Sequence, residues 1–146
     1  MEDLVIYHVY DDQGNPLEVS KADGVHIYYV WGYNKRHPIA KLENFTASQA
    51  ASIQTIINTA VTTSNNDNSA GDEDALRVAL NNIRNNTSTA MVTTLTYDPL
   101  IGVTSITDPK GYTMYYYYDT ANRLKYIKDS DGKVLSKNEY HYKGQQ

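Results

Sequence analysis

The chain has 146 residues, 40% of them hydrophobic, with a mean hydropathy of -0.58 and a net charge of -4. That length suits one compact domain or a piece of a longer array. The acidic balance argues against nucleic acid and anionic membranes as partners, because both need a clustered positive surface and Lys35-Arg36-His37 is only a short solvated patch. Cysteine is absent, which removes disulfides, thiolate metal sites and cysteine nucleophiles together.

In chain order, Leu4 to Tyr10 reads as a β-rich strand ending at the turn cluster Asp11-Asp12-Gln13-Gly14-Asn15-Pro16. Leu17 to Ser20 returns, Asp23-Gly24 turns, and Val25 to Trp31 runs out again. After the break Gly32-Tyr33-Asn34, Ile39 to Leu42 makes another short strand. Thr46 and Gln49 then form a capping-box pattern ahead of Ala50, Ile53, Ile57 and Ala60, whose spacings of three and four predict a helix. A polar connector over 64–71 separates it from a second helix. That helix begins with Asp72-Glu73-Asp74, where the helix dipole favours acids, and carries the stripe Leu76, Ala79, Leu80 and Ile83.

The β pattern resumes with Leu95 to Tyr97, then Val103 to Thr107 and the turn Asp108-Pro109-Lys110-Gly111. Tyr112 to Tyr118, Arg123 to Lys128, the turn Asp129-Ser130-Asp131-Gly132 and Val134 to Tyr142 complete it. The predicted class is α+β: an antiparallel β-hairpin meander with an inserted α-helical hairpin. It is expected to be a single module over 1–146, with β segments at 1–44 and 89–146 and the helical insert at 45–88.

The two β segments repeat each other at a constant offset of 87 positions. Tyr10-Asp11 returns as Tyr97-Asp98, Gly24 as Gly111, Tyr28-Tyr29 as Tyr115-Tyr116, and Arg36 as Arg123. A shorter step of 21 links Tyr10 to Trp31 and Tyr97 to Tyr118. Such repetition marks a unit that buries its apolar face by stacking on copies of itself.

These residues resemble the RHS/YD-repeat family. Tyr10-Asp11, Tyr97-Asp98 and Tyr118-Asp119 stand as its YD dipeptides, and Tyr118-Asp119-Thr120-Ala121-Asn122-Arg123-Leu124 is similar to its Y-D-x-x-G-R-L unit. Asn122 replaces the usual Gly but can also adopt positive φ. The resemblance, to versions found in large Bacteroidetes surface or secreted proteins, implies hairpin units that coil into a strip or shell. It implies a location at the cell surface or outside the cell. The chain as written carries no basic-then-apolar leader and no membrane-length apolar run, so it is expected to stay in the cytoplasm if expressed as written. Nothing matches the self-cleaving boundary of RHS cores, and the chain is expected to be a C-terminal repeat segment rather than a closed shell.

No catalytic, cofactor or metal site is expected. Asp129-x-Asp131-Gly132 and Asn66-x-Asn68 fail the ligand spacing of a Ca²⁺ loop, and His8, His26, His37 and His141 lack metal-ligand spacing, so His8 and His26 read as cross-strand surface histidines. In Tyr115-Tyr116-Tyr117-Tyr118, alternation puts Tyr116 and Tyr118 on one face. The expected role is a non-enzymatic scaffold that extends or caps a β array, its partners being other repeats or a second copy joined through edge strands. The alternative is a carbohydrate- or partner-binding module using Tyr28, Trp31, Tyr33, Tyr116 and Tyr118. The repeat motif itself is assigned to Tyr10, Asp11, Tyr97, Asp98, Gly111, Tyr118, Asp119 and Arg123.

Overall fold

A computed structural model describes residues 4–138. Within it, nine strands form one antiparallel sheet whose spatial order is its chain order. The strands are β1 (Val5–Tyr10), β2 (Pro16–Lys21), β3 (His26–Gly32), β4 (His37–Glu43), β5 (Met91–Asp98), β6 (Gly102–Thr107), β7 (Thr113–Tyr118), β8 (Leu124–Asp129) and β9 (Val134–Lys137). The α+β meander predicted from the sequence is therefore observed. The final strand was expected to run on to Tyr142; its described part ends at Lys137, and Tyr140 to Tyr142 lie outside the described residues.

The helices interrupt the chain between β4 and β5 without interrupting the sheet, because those strands pair directly, Leu42 with Val92 and Ala40 with Thr94. One turn, α1 (Ala47–Ala50), leads through a 3₁₀ turn (Ala51–Ile53) into α2 (Gln54–Asn65). Thr46 and Gln49 make the reciprocal capping box expected of them. α3 (Ala70–Asn85) starts earlier than the sequence suggested. Its cap is Ser69, whose hydroxyl accepts from Asp72 N, so Asp72 and Glu73 sit within the first turn and the connector shrinks to 66–69. Both caps satisfy helix N–H groups that are otherwise orphaned, at about 1 kcal/mol each.

The two helices pack on each other and on one face of the sheet, over β3, β4 and β5. Ile57 and Ala60 of α2 and Leu76, Leu80 and Ile83 of α3 meet Tyr28, Val30, Ile39, Leu42 and Val92 of the sheet. The small side chains on the stripes allow this close packing, and Gly32 at the end of β3 allows more. A Cβ there would stand 2.3 Å from Ser64 Oγ and 2.9 Å from both branches of Ile39. Toward α3 the covered face becomes polar: Thr94, Thr96, Ser105 and Thr107 are buried beneath it. On the far strands, the Arg77 guanidinium of α3 lies 5.2 Å from the Tyr115 ring of β7, and β9 is exposed throughout.

Candidate functional site

Four hairpins share one Asp-capped five-residue turn. In each, an Asp carboxylate oxygen accepts from the amides two and four residues on, at 2.8–3.0 Å, for Asp11, Asp108, Asp119 and Asp129. The fourth residue has positive φ: Gly14 (84°), Gly111 (92°), Asn122 (61°) and Gly132 (83°). An Asp at the first position closes the turn from its side chain, and Gly or Asn supplies the left-handed step. In the Tyr-Asp dipeptides the Asp is thus a turn cap. Hydrogen bonds from the Arg123 amide, then from Ala121 and the Arg123 guanidinium, hold Asp119 below its ordinary carboxylate range. Asp98 departs from this pattern: it accepts from Leu100 N, and its turn carries an extra residue before Gly102.

The aromatic partner of that Asp has its own function. Trp31 Nε1–H donates to the Pro16 carbonyl at 2.8 Å, and Tyr118 O–H donates to the Val103 carbonyl at 2.7 Å. Donors and acceptors both stand 87 positions apart, so the sequence offset survives as an equivalent hydrogen bond. Tyr97 O–H donates likewise to the Pro38 carbonyl at 2.8 Å. In each case an aromatic near the end of one strand reaches the beginning of the preceding strand and ties successive strands together. The position equivalent to Tyr97 on β1 is Tyr10, which is 55% exposed, and among the described residues no strand precedes β1.

The residues assigned to an exposed binding platform divide. Tyr28 is buried, edge-on to Phe45, because its side of β3 faces the helices. Tyr33 is buried as well, at 3% exposure, and neither residue can present a ring to a ligand. Trp31 lies on the opposite face of the sheet. There, Val5, Tyr7, Pro16, Tyr29, Trp31 and Pro38 line an open groove of about 380 Å³. Tyr116 and Tyr118 alternate onto one face of β7 as expected and are half-buried, with Tyr118 occupied by its bond to Val103. Tyr117, on the other side, is exposed; its ring lies 5.2 Å from that of Tyr126, with Lys128 Nζ over both.

Tyr33 proves to be a hub that sequence reasoning missed. Tyr33, Asn34 and Lys35 have consecutive positive φ values of 52°, 58° and 65°. For non-glycine residues each costs about 1 kcal/mol or more. The end of α2 holds them there: Ser64 Oγ accepts from Tyr33 N and Asn65 Oδ1 from Asn34 N. Asn15 Nδ2 donates to the Lys35 carbonyl, and the Lys35 ammonium pairs with Asp12. The Tyr33 hydroxyl donates to Asp67 Oδ2 at 2.7 Å and accepts from Tyr97 N at 2.9 Å. Burial pushes this phenol far above its ordinary value, and burial likewise raises the Asp67 carboxyl. Asn34 was the only sequence signal of a left-handed turn, and nothing local announced three in a row.

Beside it lies a cleft of about 510 Å³, lined by Asp67, Ser69, Glu73, Asp98, Leu100 and Thr104 among others. Glu73 Oε1 is already satisfied by Arg77 (2.6 Å), Thr96 (2.8 Å) and Thr104 (2.8 Å). These bonds make Glu73 a structural clamp between α3 and the sheet. The threonine alternation of β5 carried this signal without naming its partner.

His8 and His26 do not simply face solvent as a cross-strand pair. Their rings stack 5.0 Å apart, and the buried Glu18 engages one of them, its Oε2 accepting from His26 Nδ1 at 2.7 Å. Among the described residues no helix is long and apolar enough to cross a membrane. No protein-family model matches the chain, and no curated protein matches it in sequence.

Proposed function

We propose that this chain is a non-enzymatic structural module of the RHS/YD-repeat type, extending or capping a longer β array through β1. The observation that supports it most is the repeated strand-to-strand tie from Trp31, Tyr97 and Tyr118, which leaves Tyr10 at the sheet edge in the position of a further donor. β1 is also largely apolar and uncovered, with Ile6, Tyr7 and Tyr10 each more than half exposed. Open edges of this kind pair with other strands unless charge, proline or a cover prevents it. A parent array, at the surface of a cell or secreted from it, would supply the missing strand; a second copy of the chain is the substitute in solution.

Light scattering across a concentration series, combined with amide exchange, tests this. The expected result is self-association that protects the β1 amides and is weakened by Ile6→Lys. A monomer at every concentration, with β1 exchange unchanged, refutes it. The open groove between Tyr7 and Trp31 favours a second reading, as a carbohydrate-binding face, since flat aromatic rings on a sheet suit sugar rings. Glycan binding lost in Trp31→Ala with the fold intact would establish that reading instead.

A further inference from the structure

We propose that His8, Glu18 and His26 form a binding site for a divalent first-row cation, with Zn²⁺ as its reference ion, that ties β1 to the rest of the sheet. The three residues come from β1, β2 and β3, three neighbouring strands. Each offers one donor atom, and no two of these atoms are more than 4.8 Å apart.

The strand geometry explains how they meet. Ser20 pairs with both Ile6 and His26, and Glu18 lies two residues back on the same face of β2. His8 is the extra residue of a β-bulge, since Tyr7 pairs with Val19 and Val9 already with Glu18. A bulge re-aims the side chain it carries. His8 Nε2 lies 2.8 Å from Ser20 Oγ, and the His8 and His26 rings are 5.0 Å apart at 25°.

Glu18 is held in place from behind. Its Oε1 accepts from Ala47 N at 2.8 Å, leaving Oε2 toward the histidines. The side chain is buried and both of its oxygens have a partner. It is therefore an oriented oxygen donor, buttressed by a second hydrogen bond as metal-ligating carboxylates commonly are.

Bond lengths of about 2.0–2.2 Å in a tetrahedron place ligand atoms about 3.3 Å apart. The 2.7 Å contact between Glu18 and His26 must open by less than 1 Å on that geometry, with the cation taking the place of the shared proton. His8 must close by up to about 1.5 Å from the 4.8 Å limit, which an exposed side chain on a bulge can do. Two imidazoles and one carboxylate suit Zn²⁺, Co²⁺ or Cu²⁺, with a fourth position for water or the Ser20 hydroxyl. Ca²⁺ and Mg²⁺ prefer all-oxygen sites and are not expected to bind. The structural consequence falls on β1, which buries little of its own surface and would gain a coordination anchor at mid-strand.

Calorimetric titration of ZnCl₂ into the full chain without an affinity tag, repeated with CoCl₂ for its visible spectrum, tests the site. About one equivalent is expected to bind, with slower amide exchange in β1. His8→Ala should weaken binding by more than about tenfold, and Glu18→Gln likewise, whereas His37→Ala should not change it. His8 is exposed, so its variant keeps the fold and decides the matter even if the Glu18 variant does not. Absence of binding to the unaltered chain, or affinity unchanged in His8→Ala, overturns the proposal. Binding without added protection of β1 overturns the anchoring role.

Discussion

Removing one oxygen atom, in Tyr33→Phe, tests how the meander and the helical insert are joined. The hydroxyl bridges the α2–α3 connector, through Asp67, and β5, through the Tyr97 amide, from a side chain on the β3–β4 loop. Its loss leaves Tyr97 N–H without its acceptor at a point where the β5–β6 register shifts, so no ladder carbonyl replaces it there. An orphaned donor costs about 1–3 kcal/mol. Asp67 loses a second bond, but it is only partly buried and regains water, so that contribution is about 1 kcal/mol or less. The sum is about 1–4 kcal/mol, or about 2–16 °C in Tm for a chain of this size. Urea denaturation with both far-UV and fluorescence detection measures it. A double cycle with Asp67→Asn should show coupling of about 1 kcal/mol between the two positions. Stability within about 0.5 kcal/mol of the unaltered chain would refute the hub, because surface changes alone reach that size.

The same phenols set an alkaline limit. Burial pushes Tyr97 up to about 12 and raises Tyr33 as well, so the folded chain keeps protons that the unfolded chain releases above its ordinary phenol value. Stability should be full below about pH 10 and fall above it, by up to about 1.4 kcal/mol per pH unit for each phenol, and Tyr33→Phe should flatten that slope in urea midpoints taken against pH. At the acid end Asp11 and Asp119 behave oppositely. Although desolvation raises Asp11, the Asn15 and Gln13 hydrogen bonds and Lys35 leave it lowered; Asp119 is lowered chiefly by the Arg123 amide. Their contribution is present above the ordinary carboxylate range and lost as pH falls through their lowered values, so Asp119→Asn should make the acid transition shallower. Gly32→Ala should destabilise by about 1–3 kcal/mol in thermal melts, because its methyl meets a Ser64 hydroxyl already fixed by Tyr33 N and the Val61 carbonyl.

Periodicity made the strands and both helices legible, because alternation at two and at three to four residues is a local property of the chain. Asp108, Gly111, Asp129 and Gly132 mark their turns for the same reason: the turn closes on its own five residues. The strand order followed too, since consecutive antiparallel strands joined by short turns lie side by side. The pairing of β4 with β5 across the helical insert was not legible, nor which face the insert covers.

That choice of face determined the fate of the tyrosines. Tyr28 and Trp31 look alike in sequence, as large aromatics of one strand, yet one is sealed beneath Phe45 and the other lines an open groove. The left-handed run Tyr33-Asn34-Lys35 and the approach of Glu18 to two histidines were hidden for a related reason. Both depend on atoms distant in the chain: Ser64, Asn65 and Asp67 in the first case, Ala47 and the bulge at His8 in the second. The sequence by itself determined the elements, the turns and the repeat, whose chemistry lies within a few neighbouring residues. Only the tertiary structure decided which side chains are buried, which backbone strain is tolerated and which ligating groups converge, because those follow from packing energies summed over contacts between remote segments.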